Sequence, residues 1–150
     1  MSADIEGLVQ TSSNLGALST TETEVLAGSG VRSSIGSQKD LVSDRMVSLL
    51  EQLGGSVVIN GSYPGWAYCK ESPLRDLLVE VFTEQYGHEP KIEAIHAGLE
   101  CGMFADKLPG LDCVSIGPDL EEIHTCREKL HIASTQRVWK MLVETLARMK

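Results

Sequence analysis

Ile92–Ile132 reads IEAIHAGLECGMFADKLPGLDCVSIGPDLEEIHTCREKLHI, and its alternation of short apolar runs with glycine turns sets the fold class. Ile92–Ile95 is a short apolar run, the mark of a strand. Gly98 and Gly102 then bracket Leu99, Glu100 and Cys101 in a tight turn leading to a short helix. Cys113–Ile116 is a second apolar run, closed by Gly117-Pro118. The loop beyond it has no regular period and carries His124 among Glu121, Glu122 and Glu128. A strand that runs into a loop of titratable residues is where α/β proteins place their sites.

IHAGLECGMF, PGLD, SIGP and HTCREKL, in this order and spacing, resemble the C-terminal portion of the aminoacyl-histidine dipeptidases. These Xaa-His dipeptidases, carnosine-cleaving ones included, fall in the two-zinc aminoacylase and carboxypeptidase superfamily. The resemblance covers nearly the whole chain, and its motifs are most specific in the second half. One departure is visible. Where the family tends to have His-Ser-Pro followed by acidic residues, this chain has His124-Thr125-Cys126-Arg127-Glu128-Lys129.

Composition narrows the function classes. The 150 residues suffice for one ordinary domain or two small ones, and a hydrophobic content of 42% is that of a globular protein. A formal charge of -8 argues against a nucleic-acid partner, because phosphate binding needs a basic surface. No run reaches the roughly 18 apolar residues that a membrane span needs. The start, MSADIEGLVQ, lacks the basic and apolar regions of a secretory signal, so the cytoplasm is the expected location. Cys69, Cys101, Cys113 and Cys126 contain no C-x-x-C pair, which disfavours a zinc finger and fits reduced thiols. Cys101 reads as a small buried thiol, with a nucleophile beside a His as the rival reading.

From the N-terminus, Gly7–Ser13 reads as a strand and Asn14 as a residue of the turn that follows. Glu24–Ile35 is a second strand, bent or bulged at Gly28-Ser29-Gly30. Ser37 is placed to cap a helix whose apolar stripe is Leu41, Val42, Met46, Leu49, Leu50 and Leu53, and Gly54-Gly55 ends it. Ser56–Asn60 (SVVIN) is a further strand. Strand, strand, helix, strand is a split β-α-β-β-α-β unit without its first strand and helix. The resemblance implies that the chain begins inside a lid domain of that complete architecture.

Gly61–Glu71 (GSYPGWAYCKE) has no period and marks the candidate boundary. The resemblance implies a partial lid or dimerisation domain over 1–62 and part of a catalytic domain over 63–150. Trp66 and Tyr68 there pin the crossover to the core or stack on a ligand. Ser72-Pro73 is an N-cap with proline at the first helical position, followed by Leu74, Leu77, Leu78, Val81 and Phe82 on one face and Gly87 at the end. Ser134 is placed to cap a last helix whose stripe is Val138, Met141, Leu142 and Leu146. The order of elements makes the fold class α/β, and the resemblance implies an incomplete split β-α-β-β-α-β lid followed by the C-terminal part of a zinc-peptidase-like α/β/α sandwich.

Taken by itself, His124 is a surface-loop imidazole, Arg32 a solvated strand charge and Glu100 an acid favoured at a helix start. The resemblance gives them roles. His124 matches the last zinc ligand of the family, and Cys126 in place of proline leaves that ligand present while removing a restraint on φ. Arg32 matches a lid arginine whose planar guanidinium grips the substrate carboxylate, and Asn14 a lid asparagine that helps hold substrate. The turn at Gly98 and Glu100 lies in the family's cleft and is assigned to substrate binding. His96 reads as structural or as orienting a ligand, with metal binding as the lesser option.

The family's reaction uses two zinc ions, a bridging carboxylate and a glutamate general base that activates the attacking water. No H-x-D motif and no strand-end Glu-Glu pair precedes the region, and Glu121-Glu122 is misplaced for that base. The expectation is thus a C-terminal fragment of a Xaa-His dipeptidase, with no catalytic base of its own, one zinc ligand and at most weak zinc binding. Its expected ligand is a dipeptide, and homodimerisation or association through exposed sheet edges is expected. The rival readings are a non-catalytic truncated product or a subunit docking on a partner chain, and, further off, an unrelated small α/β binding module.

Overall fold

The computed structural model describes residues 1–94 and 100–149. Its elements are β1 (Thr11–Thr20), β2 (Val25–Ser33), α1 (Gly36–Gln52), α2 (Pro73–Tyr86), α3 (Glu100–Lys107), β3 (Leu120–Glu121), β4 (Lys129–Leu130) and α4 (Ile132–Arg148). This is a mixed α/β chain whose described strands form two small antiparallel sheets, β1-β2 and β3-β4. Contacts divide it into two units. One comprises Met1–Cys69 with Glu93–Gly110, the other Lys70–Ile92 with Leu111–Lys150.

In the first unit, β1 and β2 form an antiparallel hairpin. The Thr21 hydroxyl accepts the amides of Thr23 and Glu24 and closes the connection. Asn14 sits inside β1 opposite Gly30, so the turn expected at Asn14 is replaced by ladder. The expected irregularity exists, but its extra residue is on β1. Leu15 pairs with Ser29 and Ala17 with Gly28, which leaves Gly16 unpaired. The Thr11 and Ser33 hydroxyls bond across the ribbon at 2.9 Å, and the Ser13 hydroxyl reaches the Met46 sulfur on α1 at 3.5 Å.

α1 begins one residue before Ser37, with Ile35 at its N-cap and no side-chain cap. None of its residues is buried, and Leu49 and Leu53 of its predicted stripe are 59% and 75% exposed. Ser56–Asn60 lies in no ladder. A strand needs a neighbour to take its backbone groups, and no described residue pairs with this one. Pro64-Gly65-Trp66 passes close to two other segments. A Cβ on Gly65 would fall 2.5 Å from the Ser34 carbonyl oxygen, and one on Gly102 of α3 would fall 3.2 Å from the Pro64 oxygen.

The second unit holds the buried core: Leu78 and Val81 of α2 with Met141 of α4, and Leu74, Leu77, Phe82 and Val114 packed against them. The helix face predicted for α2 is the face that packs. Its ends are also as read. The Ser72 hydroxyl accepts the Arg75 amide at 3.1 Å, Pro73 opens the helix, and Gly87 closes it in the left-handed region at φ 76°. That conformation costs glycine nothing, since it has no Cβ to meet the carbonyl.

α4 departs from its predicted pattern. His131 is its N-cap, and Ser134 lies inside the first turn. The Ser134 hydroxyl donates to the His131 carbonyl at 2.8 Å and accepts the Asp119 amide at 2.9 Å. Thr145 is buried in place of Leu146, and its hydroxyl bonds back to the Met141 carbonyl at 2.8 Å. The two apolar runs expected as strands lie in no helix and in no ladder where they are described. Val114 nevertheless packs on the core. Ile95 falls outside the described residues.

Candidate functional site

Leu120 pairs with Leu130 and Glu121 with Lys129, and this two-residue ladder closes the loop that carries His124. The His131 amide bonds to the Asp119 carbonyl at 3.0 Å just below it. Within the loop, the amide and hydroxyl of Thr125 both donate to the Glu122 carbonyl, at 3.2 and 2.8 Å. Arg127 donates its amide to the Thr125 hydroxyl at 3.1 Å and its Nε to the Glu122 carboxylate at 2.8 Å.

His124 takes φ 66°, and Glu122 φ 49°. For residues with a Cβ this region costs about 1–2 kcal/mol, so local bonds must hold it. One of them is direct: the His124 amide donates to the Glu128 carboxylate at 2.9 Å. Left-handed non-glycine residues held by such over-determination gather at functional sites. Every residue from Glu121 to Leu130 is exposed, so the imidazole is borne on an accessible loop.

Arg32, Asn14 and Glu100 lie in the first unit. Arg32 is an exposed residue of β2 paired with Ser12, and Asn14 is an exposed residue of β1 two positions along the ladder. Glu100 is exposed at the first position of α3, where the positive end of the helix favours a carboxylate. Gly98 and His96 lie outside the described residues. Cys101 is partly buried, and Cys126 is exposed in the His124 loop. Of the crossover aromatics, Trp66 is partly buried against Gly102 and Tyr68 is exposed. Sequence reasoning missed Glu128 as the partner of the His124 amide. The i to i+4 spacing was there to be read, but only a non-helical loop turns it into this contact.

A catalytic zinc takes about three protein ligands and an open position. Among the described residues no three of His, Cys, Asp and Glu come together in a group able to hold a metal ion. These residues therefore do not fit a complete zinc centre. His124 is one imidazole on an exposed, hydrogen-bonded loop.

In sequence and backbone, the chain is similar to a portion of the dipeptidases. It is 38% identical over 141 residues to the cytosol non-specific dipeptidase of Escherichia coli (strain K12), a match covering 94% of this chain and 29% of that protein. Its structure matches the crystal structure of the aminoacylhistidine dipeptidase from Vibrio alginolyticus with a TM-score of 0.88 and 36% identity, over 100% of this chain and 31% of that one. The chain thus spans about three tenths of the length of each relative, and the resemblance read from its motifs is to the C-terminal portion of such enzymes. No protein-family model matches it. Among the described residues no helix is long and apolar enough to cross a membrane.

Proposed function

We propose that this chain forms the C-terminal portion of a metal-dependent dipeptidase that hydrolyses Xaa-His dipeptides of the β-alanyl-histidine type. The observation that carries the reading is 38% identity, over 94% of the chain, to a protein that bears the name of a dipeptidase. In this reading, residues 1–62 belong to a lid domain and 63–150 to the catalytic domain. Arg32 pairs with the substrate carboxylate through two parallel bonds, and Asn14, Gly98 and Glu100 help hold the dipeptide. His124 supplies one zinc ligand. The general base and the remaining ligands come from outside these 150 residues, and the cytoplasm is the place of action.

A second reading has its own support. α1 buries none of its residues, and Leu15, Leu18, Val25 and Leu26 of the hairpin are each more than half exposed. Apolar surface on this scale favours association, so the chain acts as a subunit, through a homodimer or by docking on a chain that carries the missing groups.

The test uses the purified 150-residue chain with zinc and β-alanyl-histidine, alone and after co-expression with a polypeptide equivalent to the unmatched part of the E. coli relative. The chain alone is expected to give no turnover, and the complemented pair to bind zinc and turn over. In the pair, His124→Ala should abolish activity, whereas Arg32→Ala should chiefly raise KM. Unchanged zinc content and turnover in the His124 variant would refute the ligand assignment.

A further inference from the structure

We propose that Glu128 is a positioning residue that fixes how the loop presents His124, an inference resting on the reading of His124 as the functional imidazole. The hydrogen bonds divide the work in the loop. Glu122, Thr125 and Arg127 bond to one another and shape the turn on either side, while the Glu128 carboxylate takes the amide of His124 itself. The direction of that amide is set by ψ of Ile123 and φ of His124. The same φ decides on which side of the loop the His124 Cβ departs.

At φ 66° the Cβ leaves in a direction that the ordinary negative-φ conformers do not give. Pinning the amide at 2.9 Å therefore selects the presentation of the side chain as well as the path of the backbone. The Glu128 amide, bonded to the Thr125 carbonyl at 3.2 Å, in turn holds the carboxylate's own backbone in the turn. Position 126, between them, is Cys126, so φ there has no ring to restrain it. The Glu128 bond supplies a restraint of another kind.

The test is solution NMR of the metal-free 150-residue chain, which reads the loop without depending on turnover. In Glu128→Ala, the His124 amide should exchange about fivefold faster, as loss of one modest hydrogen bond implies. The His124 ring signals should shift and gain fast motion. Glu128→Gln keeps a carbonyl acceptor at the same reach and should restore both readings. The His131 amide, bonded to the Asp119 carbonyl across the base of the loop, should keep its protection in both variants, which separates positioning from general loosening.

Unchanged His124 exchange and ring signals in Glu128→Ala would overturn the proposal, as would equal loss of protection at His124 and His131. Failure of the zinc-ligand reading looks different: it appears as a His124→Ala complemented pair that keeps its zinc and activity, whatever the Glu128 variants do.

Discussion

Ser72 and Asp112 bind across forty positions of sequence: the Ser72 hydroxyl donates to Asp112 Oδ1 at 2.6 Å. The other oxygen, Oδ2, accepts the Leu74 amide at 2.9 Å, and Ser72 meanwhile accepts the Arg75 amide. One carboxylate thus satisfies a capping hydroxyl and a free amide at the positive end of α2, and it ties the segment bearing Val114 to that helix. Ser72 is 3% exposed, so water cannot replace Asp112 easily.

Asp112→Ala should lower the unfolding free energy of the second unit by about 2 kcal/mol, since it leaves a buried donor unpaired. Asp112→Asn keeps one acceptor and should cost less. Urea titration followed by helix signal gives the comparison. Identical midpoints for wild type and Asp112→Ala would show that the contact contributes nothing.

Gly65→Ala tests the packing of the crossover. The new Cβ would meet the Ser34 oxygen at 2.5 Å, the Ser34 carbonyl carbon at 2.7 Å and the Ser33 oxygen at 2.8 Å, all of them backbone atoms. Backbone yields less readily than a side chain, so the first unit should lose about 1–3 kcal/mol, the usual cost of overpacking. Gly117→Ala, where nothing lies within 4 Å and φ is ordinary, is the matched control and should stay within about 0.5 kcal/mol of wild type. Hydrogen exchange at β2 and the start of α1 reports the difference.

The end of α4 is fastened by charge. Arg148 Nε bonds Glu144 at 2.8 Å, and its Nη1 bonds Glu80 and Glu84 of α2 at 3.1 Å each. The hydrogen bond to Arg148 holds the Glu84 carboxyl below the usual carboxylate range. A carboxyl depressed in the folded state binds fewer protons there than in the unfolded chain. Its stabilisation is present above the ordinary carboxylate pKa and fades as pH falls through the lowered value. Arg148→Met should therefore melt earlier than wild type at pH 7, with the gap closing in the acid range. High salt should narrow the gap too, because these carboxylates are exposed and screened. A gap that stayed constant with pH and salt would assign the effect to packing of the side-chain stem.

What sequence alone settled here is the local chemistry. Ser72-Pro73, the spacing of Leu74, Leu77, Leu78, Val81 and Phe82, and Gly87 specify where α2 starts, which face it buries and where it stops. A cap, a helical stripe and a left-handed stop each act within a turn or two of chain. The motifs around His124 pointed to dipeptidases for a similar reason: their order and spacing are properties of the chain itself. Tertiary structure decided whatever needs a distant partner. Asn14 became ladder because Gly30 lies across from it, while Ser56–Asn60, a strand by composition, has no described neighbour to pair with. On α4, helical spacing offered Leu146, yet Thr145 is buried, because a threonine hydroxyl can satisfy itself on the Met141 carbonyl. The bond from His124 to Glu128 likewise arises only once the loop has closed, since a left-handed residue and the carboxylate that holds it are chosen by the same fold.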